Sequence, residues 1–88
     1  MRTVEIHFDP DQAEQGALTH RLRNFGEDVF RQLRKVDWGR VSMDEIDRAT
    51  SHFAVTDVHA KKFRRLTDWL QKEADRQHLL IIMKVAGE

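Results

Sequence analysis

The sequence predicts a two-layer α+β domain in which a four-stranded antiparallel sheet carries two helices on one face. Three observations lead there. A strictly alternating segment opens the chain, two long stretches hold apolar residues at helical spacing, and short β-rich segments lie between and after them. The 88 residues suit a single domain, 1–88. A chain of this size buries roughly 60–65% of its unfolded surface, so its core is thin.

Thr3 to Phe8 places Val4, Ile6 and Phe8 on one side and Thr3, Glu5 and His7 on the other, the pattern of a half-buried strand. Asp9 then reads as an N-cap with Pro10 at the first helical position. Leu18, Leu22, Phe25, Val29, Leu33 and Val36 follow at spacings of three and four, one stripe of a helix. A continuous helix from Pro10 to Lys35 would be about 39 Å long, while the opening strand spans only about 20 Å. A break is therefore expected near Gly16, with the packed helix running from about Ala17 to Lys35.

Val36 to Val41 reads as a second strand, with Trp38 in the core and Gly39 permitting a bulge. Ser42-Met43-Asp44-Glu45 matches a capping box and predicts a short helical turn over Met43–Arg48. Ala49 to Val55 alternates again and is read as a third strand. Ile46, Ala49 and Phe53 also fit helical spacing, which leaves residues 43–53 open between strand and helix. Thr56 or Asp57 is expected to cap a second long helix reaching about Gln77, its buried stripe being His59, Phe63, Leu66, Leu70 and Ala74. His78 to Val85 is the last strand, apolar on both faces. The order βαββαβ is that of the ferredoxin-like split arrangement. Two right-handed crossovers would set both helices on one side of a sheet of strand order 4-1-3-2.

Composition narrows the function. Fifteen basic residues balance fifteen acidic ones, so the basic field of a duplex-binding protein is missing and nucleic acid is disfavoured as a partner. With no cysteine, disulfides, thiolate chemistry, cysteine-zinc sites and iron–sulfur clusters are excluded. The longest apolar run, Leu79–Met83, falls far short of a membrane span, and no apolar signal core opens the chain. The expectation is a cytoplasmic protein without a membrane partner. Phosphate-loop, dinucleotide-binding and nucleophile-elbow spacings are all missing. His7 and His52 stand where an RNA-recognition sheet would carry stacking rings. Catalysis is disfavoured, and neither a cofactor nor a metal is expected.

Three surfaces stand out. Glu5, His7, Thr50 and His52 should face away from the helices on the two central strands, where two histidines and a carboxylate suit proton transfer or a ligand if they converge. The simpler reading is a wetted polar sheet face. On the second long helix, Lys61, Arg65, Lys72 and Arg76 line one side with Asp68 among them, and Lys62 lies beside Trp69. With the off-stripe Phe30 of the first helix, Lys62, Arg65, Trp69 and Arg76 form a possible interaction surface, or else lysine and arginine stems cover half-exposed rings. The last strand is an apolar edge, and Leu80, Ile82 and Lys84 are the residues through which a second copy would pair. The leading expectation is a small regulatory, protein-binding module of bacterial type, homodimeric, with a further protein partner that the sequence does not identify. The alternatives are a small-ligand or metal site on the open sheet face, or weak single-stranded nucleic-acid binding through the second helix with Trp69 as a stacking ring.

Overall fold

Three strands, β1 (Arg2–Phe8), β2 (His52–Val58) and β3 (Ile81–Gly87), form one antiparallel sheet of order β2-β1-β3. Among the described residues three helices accompany them: α1 (Gln15–Lys35), α2 (Met43–Arg48) and α3 (Ala60–Arg76). The computed structural model describes residues 1–12 and 15–87. The opening alternation works as read: Val4, Ile6 and Phe8 are buried while Thr3, Glu5 and His7 are half-exposed. Their buried side meets Leu18, Leu22, Phe25 and Val29 of α1, Ile46 of α2 and Leu66, Leu70 and Ala74 of α3 in one core. Burial of this apolar set is the main force holding the layers together.

The expected four-stranded ferredoxin-like sheet is not formed. Val36–Val41 contributes a single rung, in which Arg40 N–H donates to Thr56 O and Thr56 N–H to Arg40 O, both at 2.8 Å. The neighbouring structure explains why the pairing stops. In one direction the next partners would be Ser42 and Ala54, but Ser42 is already the N-cap of α2. Ala54 N–H donates instead to Glu45 Oε1 at 3.2 Å. The capping box is thus half made: Ser42 Oγ accepts from Glu45 N–H, while the Glu45 carboxylate is drawn away to the sheet.

In the other direction a bulge ends the pairing. Val4 faces Val55, yet Arg2 faces Val58, so Thr56 and Asp57 together oppose Thr3. Asp57 takes a left-handed conformation, φ 56°, as bulge residues do. The extra residue lets Val55 and Val58, three apart, both point into the core. It also explains the misplaced boundaries of the third strand and second long helix. The alternation broken at Thr56–Asp57 is an interruption within β2, which runs on to Val58, and not a helix start. α3 begins at Ala60 behind His59, whose side chain makes no cap bond. His59 is exposed and outside the buried stripe.

Two other boundaries shift. Asp9–Gln12 is a turn and not a helix start: Asp11 N–H donates to Asp9 Oδ1 at 3.0 Å, the local bond that lets Asp compete with helix. Gly16 lies inside α1, and the neighbouring residues 13–14 fall outside the described residues. At the far end, α3 stops in a Schellman motif, with Leu79 N–H donating to Ala74 O at 2.8 Å and His78 N–H to Asp75 O at 3.1 Å. The residue that turns the chain is His78, φ 57°, and β3 therefore starts later, at Ile81. A left-handed residue with a Cβ is strained by about 1–2 kcal/mol. His78→Gly is expected to raise stability by about 1 kcal/mol, read as a higher urea midpoint at unchanged slope.

Candidate functional site

The two edges of the sheet are built differently. On β2, the outward backbone groups of Thr56 are bonded to Arg40 and the N–H of Ala54 to Glu45, which obstructs the middle of that border. On β3, Asp9 N–H donates to Leu80 O at 3.1 Å, so the Leu80 rung is a hydrogen-bonded one facing β1. Antiparallel rungs alternate. Ile82, Lys84 and Ala86 therefore turn their backbone groups to β1 as Leu80 does. Ile81, Met83, Val85 and Gly87 turn theirs to the open edge.

Along this edge lie Leu80, Ile82 and Val85, about half or more exposed at 61%, 51% and 49%. With Met1 these are the large exposed apolar residues among the described residues. Gln12 fastens the start of the strand: its carboxamide donates to Leu80 O at 2.7 Å and accepts from Leu80 N–H at 2.6 Å. Neither Gln12 nor the diverted Glu45 carries a sequence signal for these roles. Gln12 lies in a turn-rich segment, and Glu45 is fully accounted for as a capping residue.

The outward sheet face brings Glu5, His7 and His52 together. His7 and His52 are cross-strand partners, and their rings stack at 4.8 Å with 12° between planes. His7 Nε2 donates to Glu5 Oε1 at 2.9 Å, and Ser51 Oγ lies 3.3 Å from His52 Nδ1. Thr50 does not join them. It precedes β2, exposed, beside a shallow cleft with Glu45, Arg48, Ala49 and His52. The stack itself argues against a shared metal, because imidazole lone pairs lie in the ring plane and two near-parallel planes do not meet at one ion. Among the described residues no group of three or more histidines or carboxylates is placed to hold a metal.

The hydrogen bond from His7 holds the Glu5 carboxyl below the ordinary carboxylate range, against some desolvation and with help from charge at His7, His52 and Lys84. A carboxyl lowered in the folded state adds stability above the pH at which it titrates in the unfolded chain. That stability is lost as pH falls through the folded value. The thermal midpoints of Glu5→Gln and the parent chain should therefore coincide in acid and separate toward neutrality, with the variant lower.

The third expected surface comes apart. Phe30 lies on the side of α1 that meets α2, in a groove with Glu27, Arg31 and Met43, its ring 5.7 Å from the Arg34 guanidinium. The opposite side of α1 meets α3, where Gln77 Nε2 donates to Asp28 Oδ2 at 2.7 Å and Arg76 reaches the same carboxylate at 4.0 Å. Arg76 also bonds Glu73, which keeps the Glu73 carboxyl below its ordinary range. Trp69 is half-buried against the core. Lys62 is half-exposed and Arg65 exposed. Phe30 and Trp69 thus belong to different sides of the helical layer. A polar depression of about 320 Å³ at Met1, Asp37, Gly39, Arg40, Asp57 and His59 is shallow and spanned by the Arg40–Asp57 pair at 3.8 Å.

Comparison with known proteins finds no family model, no curated protein and no solved structure that matches this chain. No helix among the described residues is long and apolar enough to cross a membrane.

Proposed function

We propose that this chain is a protein-interaction module that self-associates through β3, a second copy adding its own β3 antiparallel to extend the sheet to six strands. The observation that carries this reading is the contrast between the borders: on β2 the Thr56 groups and the Ala54 N–H are taken by Arg40 and Glu45, while among the described residues the outward backbone groups of β3 are free and flanked by exposed Leu80, Ile82 and Val85. Such an edge is a template for strand addition. Charge selects the register. Pairing all seven residues would set Lys84 against its own copy, and like charges directly opposite are destabilising. A slip that centres the two-fold axis on Met83 removes that clash. Ile82 then faces Lys84 of the second copy, and Ile81 faces Val85.

The test is sedimentation equilibrium of three chains. The parent should show a concentration-dependent dimer, Ile82→Lys should be monomeric through repulsion by the opposing Lys84, and Ile82→Glu should remain dimeric by pairing with it. A parent chain that stays monomeric at high concentration overturns the proposal. Equal behaviour of the two Ile82 variants overturns the register.

A further inference from the structure

The zero net charge conceals one sharply cationic surface. Residues 60–72 of α3 carry Lys61, Lys62, Arg64, Arg65 and Lys72 against Asp68 alone. Lys61, Arg64, Arg65 and Lys72 are exposed and Lys62 is half-exposed. Among the described residues none of these five cations enters a hydrogen bond or an ion pair. Elsewhere several arginines do find acidic partners: Arg23 meets Asp47, Arg31 meets Asp28, Arg40 meets Asp57, and Arg76 meets Glu73.

This concentration works against the fold. Lys61 stands three and four residues from Arg64 and Arg65, and Lys62 three from Arg65, spacings at which like charges destabilise a helix. The first turn of α3 holds no acid to offset them. Asp68, three residues from Arg65 and four from Arg64, offsets this repulsion only in part, and a bound polyanion would relieve the remainder.

We infer that the solvent face of α3 binds the phosphate backbone of nucleic acid without reading its sequence. Lys61, Arg65 and Lys72 follow the ridge opposite the buried Leu66, Leu70 and Ala74. They are separated along the axis by about 6 and 10 Å, a linear row of cations for a linear row of phosphates. A protein partner fits less well. Protein interfaces centre on aromatic and apolar anchors and are poor in lysine, and none of the large exposed apolar residues lies on α3. Trp69 is half-buried against the core, so the contact is to the backbone and not by stacking on bases. The surface belongs to the helical layer of one copy and does not depend on pairing at β3.

Fluorescence anisotropy tests this with a labelled duplex and a labelled single strand, each of about 20 nucleotides per strand and mixed sequence. With four to five phosphates neutralised, log affinity should fall with log salt at a slope of about −4 for the duplex. Lys61→Gln, Arg65→Gln and Lys72→Gln should each reduce the slope by about one, and Asp68→Asn should tighten binding. Arg34→Gln, on α1, should leave it unchanged. All these positions are exposed, and unchanged circular dichroism verifies that the variants fold. Absence of binding at low salt overturns the inference, as does a slope indifferent to the three α3 substitutions. Binding of polyglutamate with equal affinity and slope also overturns it, in favour of an acidic protein partner.

Discussion

Truncating Phe25 to alanine is expected to destabilise the fold by about 3–5 kcal/mol, the range for removing a fully buried aromatic ring. Phe25 projects from α1 with no exposed surface and bridges the central strand β1 and its neighbour β2. Its ring meets Phe8 of β1 edge-on at 5.8 Å and Phe53 of β2 at 6.2 Å. Aromatic pairs of this geometry add about 0.5–1.5 kcal/mol beyond the area they bury. A domain of this size has only about 4–13 kcal/mol in total, so the variant sits near or below the folding threshold at ambient temperature. Phe25→Leu keeps most of the volume and should lose much less. Urea unfolding followed by circular dichroism separates them: a midpoint for Phe25→Ala within a few tenths of that for Phe25→Leu would show that the ring does not hold the helix to the sheet.

The second large effect is expected at Gly39. A Cβ there would lie 2.8 Å from Val55 Cγ1, 3.0 Å from Thr56 O and 3.0 Å from Val58 Cγ2. Val55 and Val58 have no exposed surface, and Thr56 O accepts the Arg40 N–H bond, so none of the three can retreat cheaply. Gly39→Ala should cost about 1–3 kcal/mol through overpacking. Gly26 makes a useful contrast. Its Cβ would meet Ile46 Cγ2 at 2.6 Å, but Gly26 is helical, and alanine recovers about 1 kcal/mol of helix propensity. Gly26→Ala should therefore be the milder change although its nearest contact is shorter. Thermal unfolding that ranks Gly26→Ala as the more damaging would reverse this reading of the two close approaches.

Legibility from sequence followed the length of the periodic signal. β1 and α1 were readable because Val4, Ile6 and Phe8, and then Leu18, Leu22, Phe25 and Val29, repeat without interruption. α2 was readable as a short turn from Ser42 and Glu45, although its strand alternative stayed open. What failed depended on single residues in unusual conformations. Asp57 and His78 are left-handed without being glycine, so neither the bulge in β2 nor the late start of β3 announced itself, although α3 does end where expected, at Gln77. The fourth strand was lost for a related reason: Val36–Val41 has suitable residues, but the bulge and α2 leave room for one rung only. Alternation correctly placed Glu5, His7 and His52 on one face, while the ring stack needed the β1–β2 register, which no local pattern encodes. The clustering on α3 was legible all along. Arg76 was counted with it because helical spacing cannot reveal that Glu73 and Asp28 neutralise it.

The bonded flank of the sheet also bears on growth. A layer open on both sides can add copies head to tail indefinitely, which is the route to fibres. Here both outward groups of Thr56 and the Ala54 N–H are already bonded within the chain, which obstructs strand addition at β2 and leaves β3 the more open border. If two copies pair at β3 as proposed, release of the Glu45 carboxylate and the Arg40 rung would open a second border for strand addition and favour a polymer over a pair.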